Sequence, residues 1–186
     1  MAKKPKSLKG ALLLDGGALQ GSFFHRSVVL VCQHDSDGAF GLILNRPAGT
    51  TLGEALPGNL PDRLKDQPLF EGGPVQTQAL SYLHSDQLLP KANVLPDLSL
   101  GHAMEDLVEL GSSGSLTQRF LVFAGYAGWS PGQLDEELKR DAWVVHPATL
   151  DLIFSLRPED LWRQILAKKG WKYRLLSEGP DDPSKN

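Results

Sequence analysis

Two runs constrain this chain more than anything else in it. "SVVLVCQ" (Ser27 to Gln33) and "AFGLILN" (Ala39 to Asn45) are apolar at nearly every position, and the first is β-branched as well. A strand that faces water on one side alternates apolar with polar; a nearly continuous apolar run reads as a strand covered on both faces. Between the two stand His34, Asp35, Ser36, Asp37 and Gly38. Asp and Ser turn the chain through side-chain bonds to their own backbone, and Gly38 can take a positive φ, so the pair is predicted to be a hairpin. The Asp-x-Asp-Gly in the turn is also how a calcium loop begins. Such a loop needs a bidentate Glu at its twelfth position, where this chain has Arg46.

The 186 residues make one domain, long enough to bury a core of its own. Charge gathers at the ends: Lys3, Lys4, Lys6 and Lys9 lead in, and "SEGPDDPSKN" leads out. The expected organisation is a basic tail at 1–8, one domain at 9–176 and an acidic tail at 177–186. No apolar run approaches the roughly 20 residues that cross a bilayer, and the apolar stretch Ala11 to Leu14 is too short for a secretory signal. The expectation is a cytoplasmic protein with no membrane partner. A single cysteine, Cys32, rules out an intramolecular disulfide.

Further strands are predicted at Pro68 to Glu71, Ala79 to His84, Leu98 to Leu100, Arg119 to Ala124 and Trp143 to His146. A helix is predicted over Ala103 to Leu110, stopped by Gly111. Another is predicted from Pro158 to Lys168, with Leu161, Trp162, Ile165 and Leu166 as its buried stripe. Strands outnumber helices without alternating regularly with them, which predicts α+β with a mixed sheet.

The stretch "GYAGWSPGQLDEEL" (125–138) puts three glycines, two aromatics and a proline where a strand gives way to a helix. Ser130 as N-cap, Pro131 at N1 and Gln133 at N3 form the signature of a capping box, and Leu134 and Leu138 give the helix an inward face. Gly125 and Gly128 then serve a tight turn, a positive φ, or close backbone approach to another group. A ligand would find converging N–H groups there; the alternative is that the glycines let Tyr126 and Trp129 fold onto the core.

Together with "VCQHDSDGAFGLILNRP" (Val31 to Pro47), "EGGPV" (Glu71 to Val75) and the later Pro147, Trp162 and Gly170, this stretch resembles the YqgE/AlgH family of bacterial proteins, from about Leu8 to Gly170. The resemblance implies a single β-rich α+β domain whose bent mixed sheet approaches a barrel, with helices packed outside. It implies no molecular activity, since none is established for the family; "transcriptional regulator" is inherited from the AlgH name. The chain departs from the family where relatives resemble A-x-P-x-L-x-D-x-x-F-x-R. Here Asp15, Gly17, Leu19, Gly21, Phe24 and Arg26 occupy those places, keeping the Leu, Phe and Arg.

The candidate ligand-binding residues are Asn45, Arg46, Gly72, Gly73, Gly125, Tyr126, Gly128 and Trp129. The guanidinium fork of Arg46 suits a carboxylate or phosphate, and paired glycines can form a backbone nest for the same group. Against this, Arg46 could pair with Glu71 while the glycines serve turns. Cys32 and His34, two apart on a strand, would face one side, but no third group orients them, so no catalytic residue is assigned. The histidines (25, 34, 84, 102, 146) include no H-x₃-H pair and there is no C-x-x-C, so neither a metal site nor a cofactor is expected. "KKGWKYR" (Lys168 to Arg174) reads as a half-buried edge strand guarded by charge. With a net charge of −3, the balance argues against nucleic acid. The leading expectation is a non-enzymatic regulatory protein that binds a small ligand or a protein partner. The alternatives are a DNA-binding transcriptional regulator and, third, a hydrolase. Exposed sheet edges leave room for a homodimer.

Overall fold

The computed structural model describes residues 7–85, 93–113 and 119–179. Among them are nine strands: β1 (Ala11–Asp15), β2 (Val28–Asp35), β3 (Gly38–Ile43), β4 (Pro47–Thr51), β5 (Pro68–Glu71), β6 (Val75–His84), β7 (Ser99–Gly101), β8 (Phe120–Trp129) and β9 (Trp143–Pro147). They form one sheet in the order β4-β5-β8-β3-β2-β1-β9, with β6 pairing both β8 and β7. Only β5 with β8 is parallel. The sheet is mixed and does not close, so its likeness to a barrel is approximate.

The hairpin of β2 and β3 forms as the sequence predicts. Asp35 pairs with Gly38 across a two-residue turn, the Asp37 N–H donates to Asp35 Oδ1 at 2.8 Å, and Gly38 has φ +130°. Successive residues do pack on opposite faces. Leu30 and Leu42 join a core with Leu12, Ile153, Trp162 and Ile165, while Val29, Val31 and Ile43 join another with Leu13, Trp129 and Trp143. Each aliphatic side chain so enclosed contributes about 1.5–3 kcal/mol, which explains why this pair needs no polar face.

Among the described residues seven helices lie outside the sheet: α1 (Leu52–Ala55), α2 (Asp62–Lys65), α3 (Met104–Ser112), α4 (Gln133–Lys139), α5 (Leu150–Ile153), α6 (Leu161–Leu166) and α7 (Trp171–Glu178). The first three cover a third core of Leu52, Leu64, Leu107, Tyr82 and Val122. The predicted stripe Leu161, Trp162, Ile165 and Leu166 is buried throughout, although Pro158–Asp160 is a 3-10 turn leading into α6.

Several boundaries differ from expectation. Gly111 lies inside α3 rather than ending it; a Cβ there would stand 2.7 Å from Leu64, so the glycine serves helix packing. The segment Lys168 to Arg174 is not an edge strand. Gly170, at φ +120°, separates α6 from α7, and Trp171 onward is helical because Tyr173, Leu176 and Ser177 share one inward stripe. The alternation of Trp171, Tyr173 and Leu175 mimics a strand only when the two residues after it are ignored. Helix α7 therefore runs to Glu178, past the expected domain boundary at 176. Ser7 and Leu8, expected in the leading tail, bond to His34, and the remaining tail residues, 1–6 and 180–186, lie outside the described residues.

Candidate functional site

The strand β8 does not end at Ala124; it continues through "GYAGW" to Trp129. Gly125, at φ +72°, bends it. Before the bend β8 pairs with β5 (Glu71 with Ala124), and after it with β3 (Gly41 with Ala127). Gly72 and Gly73 cross at the bend, with the Gly72 N–H donating to the Ala124 carbonyl at 2.9 Å. A Cβ on Gly72 would lie 2.3 Å from the Gly125 oxygen, and one on Gly125 would lie 2.4 Å from the Gly73 oxygen. These glycines allow close backbone approach, and what they approach is each other.

The aromatics of the stretch turn inward. Tyr126 stacks on Phe40 with ring centroids 4.8 Å apart, and a Cβ on Gly128 would stand 3.2 Å from the Tyr126 ring. Trp129 is buried, and its indole N–H donates to Glu137 Oε2 at 2.8 Å; the Trp143 indole donates to the same oxygen at 2.7 Å. The capping box is half formed. Gln133 Oε1 accepts from the Ser130 N–H at 3.0 Å, but the N-cap position of α4 is Gly132, in a left-handed conformation, rather than Ser130.

Asn45 and Arg46 lie at a different feature, a cleft of about 380 Å³ lined also by His25, Arg26, Glu159, Asp160, Trp162 and Arg163. Asn45 is a brace: Oδ1 accepts from the Val28 N–H at 2.8 Å and Nδ2 donates to the Arg26 carbonyl at 2.9 Å. Arg46 donates to the Phe23 carbonyl at 2.7 Å, and its guanidinium lies 4.5 Å from the Phe23 ring centroid. It makes no ion pair with Glu71, which acts on it only at longer range. Burial lowers the pKa of Arg46, and Glu71 partly opposes that effect. Arg26 is lowered too, by burial first and then by the charge of Arg163, against the pull of Asp15.

The loop that departs from the family pattern builds one wall of this cleft. The buried Asp15 carboxylate accepts three backbone N–H bonds, from Gly17 at 2.8 Å, Leu19 at 3.2 Å and Arg26 at 2.8 Å, with His25 Nδ1 3.5 Å away. Arg26, at φ +54°, reaches across to the Gly179 carbonyl at 2.7 Å and covers the Trp162 ring at 5.0 Å. The Trp162 indole donates to the Asp15 carbonyl at 3.0 Å. Asp15 and Arg26 were visible in the sequence as members of one loop. Nothing local in the sequence marks Arg163, which arrives from α6.

A second cleft, about 440 Å³, brings together Lys9, Cys32, His34, Asn93 and His102. Burial pushes the Cys32 thiol well above its ordinary range, so the thiolate is scarce at neutral pH. His34 is engaged elsewhere: Nδ1 accepts from the Leu8 N–H at 3.1 Å and Nε2 stands 3.8 Å from Asp135. Ser81 Oγ lies 3.0 Å from His102 Nδ1, a pair that no sequence spacing reveals, but Ser81 is buried. Among the described residues no group of three or more His, Cys, Asp or Glu could hold a metal ion, and no helix is long and apolar enough to cross a membrane.

The fold and its basic cleft define a single-domain α+β protein with an unclosed mixed sheet, of the kind expected from the resemblance. Residues 12–174 match the AlgH-like family, and the chain belongs to it. Relatives include a UPF0301 protein of Chlorobium luteolum, 37% identical over 95% of this chain and 94% of its own length, and one of Chlamydia pneumoniae, 35% identical over 94% and 93%. The solution structure of the AlgH protein from Pseudomonas aeruginosa is similar with a TM-score of 0.74 at 31% identity, over 97% of this chain and 98% of that one. A crystal structure of a protein from Corynebacterium diphtheriae shares the fold, with a TM-score of 0.77 at 23% identity over 95% of each chain.

Proposed function

We propose that this protein is a non-enzymatic, cytoplasmic regulator that binds a small anion bearing a phosphate or carboxylate in the cleft beside Asn45 and Arg46. One observation carries the reading: Arg26, Arg46 and Arg163 line a single cleft, and among the described residues Arg46 is held by backbone carbonyls and an aromatic ring instead of a carboxylate. A partly desolvated guanidinium without an ion partner gains most from an incoming anion. Glu159 and Asp160 on the far wall, the latter paired with Arg157, would disfavour highly charged ligands and leave a compact anion as the best fit.

The glycine-aromatic stretch enters this reading as support for the scaffold. Its groups are spent on the crossing of β5 and β8, while the cleft is built by the loop 16–26 and α6. The test is a calorimetric titration of the full chain with inorganic phosphate, a nucleoside monophosphate and a dicarboxylate, followed by native mass spectrometry of protein purified gently from a bacterial extract. Saturable binding of one of the three, lost in Arg46→Gln, supports the reading. No binding by any, with an unliganded mass throughout, removes it and moves the weight to a protein partner.

DNA binding remains the second reading, favoured by the cluster Lys168, Lys169, Lys172 and Arg174. Its check is the salt dependence of binding to mixed duplex, which must be steep if phosphates are contacted. Negligible binding at every salt concentration removes it.

A further inference from the structure

Helix α7 packs by one stripe and leaves the opposite one bare. Tyr173 and Leu176 join the core and Ser177 is buried, whereas Trp171 is 77% exposed and Leu175 61% exposed. The other three tryptophans, Trp129, Trp143 and Trp162, are all at least nine-tenths buried. At 100° per residue, Trp171 and Leu175 fall together on the outer ridge, with Lys172 on one flank, Arg174 on the other and the exposed Glu178 at the far end of the same ridge, two turns on from Trp171. Lys168 and Lys169 stand just before the helix; the Lys169 ammonium donates to the Val145 carbonyl at 2.9 Å. None of these four cations pairs with a carboxylate among the described residues.

An indole and a leucine one turn apart at the crest of a helix form a small contiguous apolar surface open to contact. A convex apolar ridge with cations on both margins is what lets a helix lie in a lipid interface: the apolar side chains enter the headgroup boundary and the long basic ones extend to the phosphates. Four Lys and Arg on and beside one amphipathic helix match the charge of anionic lipid. Nucleic acid would use the cations and could stack on Trp171, but it gives Leu175 nothing to do.

We propose that α7 is a docking surface for an anionic lipid membrane, with Trp171 and Leu175 entering the interface and Lys168, Lys169, Lys172 and Arg174 engaging lipid phosphates. This is adsorption to a surface rather than spanning, and it departs from the sequence expectation of no membrane partner. It does not depend on the anion cleft.

The test uses the full chain with large vesicles of mixed phosphatidylglycerol and phosphatidylcholine, and of phosphatidylcholine alone, read by co-sedimentation and tryptophan fluorescence at low ionic strength. Because Trp171 is the exposed tryptophan, it reports the contact directly. The expected result is partition onto the anionic vesicles with a blue shift, little on phosphatidylcholine, and a fall of at least tenfold in the double variants Trp171→Ser/Leu175→Ser and Lys172→Glu/Arg174→Glu. All four positions are exposed, and circular dichroism verifies that the variants keep the fold. Absence of partition overturns the proposal. So does partition that ignores Trp171 and Leu175, or duplex DNA bound as tightly as vesicles, since either makes the cations a general polyanion contact. Concentration-dependent self-association in sedimentation equilibrium, lost in Trp171→Ser/Leu175→Ser, overturns it as well by making a second copy the occupant.

Discussion

A Cβ added to Gly73 would stand 2.1 Å from the carbonyl carbon of Tyr126, closer than any real side chain tolerates to backbone. At this crossing two strands pass with no room for a methyl group, and neither backbone can give way without breaking its sheet bonds. Gly73→Ala and Gly125→Ala are therefore expected to lose about 2–4 kcal/mol each by urea denaturation, the second adding a left-handed backbone penalty to the clash. Gly58→Ala, at a position with open space and no positive φ, serves as the control and changes stability by less than about 0.5 kcal/mol.

Glu137 holds two indoles with one oxygen. Removing it leaves the buried Trp129 and Trp143 without acceptors for their N–H groups, each a desolvation cost that folding has to absorb. Glu137→Ala should destabilise by about 2–4 kcal/mol and change the native tryptophan fluorescence, while Glu137→Gln, which keeps one acceptor, should lose less than half as much. Equal losses in the two variants would show that the carboxylate charge matters more than the acceptor.

The sequence makes the hairpin, the buried stripe of α6 and the α+β class legible because each rests on local pattern: apolar continuity, a 3.6-residue period and turn chemistry. What it hides depends on crossings. "GYAGW" looks like a loop because two glycines in five residues suggest flexibility, whereas Gly125 bends a strand that changes partner from β5 to β3. Asn45 and Gly72 look like parts of one pocket because both follow buried strands; the structure spends Asn45 on Val28 and Arg26, and Gly72 on Ala124. Arg46 joins its cleft with Arg163 through a packing of α6 that no spacing encodes. The segment at α7 misleads for a simpler reason, since a period of two over five residues also fits a helix when the next two side chains turn inward.

Burial of Cys32 makes a pH prediction with a fixed sign. The folded-state pKa lies above the unfolded value, so the native protein retains the proton while the unfolded chain releases it. Stability is fully present below the ordinary thiol pKa and falls as the pH rises beyond it, by up to about 1.4 kcal/mol per pH unit. Urea midpoints measured from pH 7 to 10 should decline more steeply in the wild type than in Cys32→Ala. The same burial predicts negligible labelling by a thiol reagent at pH 7.5 until the protein is unfolded; rapid labelling of the native state would restore Cys32 as a nucleophile candidate.

Asp15 organises the loop that walls the anion cleft. Its three N–H partners are all backbone, so no other side chain replaces it, and the loss falls on Gly17, Leu19 and Arg26 together. Asp15→Ala is expected to cost about 3 kcal/mol or more, and Asp15→Asn to cost less while still turning one donor toward another. Hydrogen exchange of the amides at 17, 19 and 26 is the measurement. Their protection should collapse in Asp15→Ala without a matching change in the β2–β3 hairpin; uniform loss would mean that the loop and the sheet unfold as one unit.

Arg46 separates positioning from binding. Its bond to the Phe23 carbonyl and its stacking on that ring tie the loop to the end of β3, a role that Gln can partly fill through an amide N–H. Its charge faces the cleft, a role that only Lys can partly fill. Arg46→Gln should therefore keep most of the stability, within about 1 kcal/mol, and weaken binding of the anion found by titration roughly tenfold or more, the usual worth of one charge-assisted bond. Arg46→Lys should bind more tightly than Arg46→Gln despite fitting the Phe23 carbonyl less well. The reverse order of affinities would mean that Arg46 acts through the loop alone, and the anion would then have to be held by other groups that line the cleft.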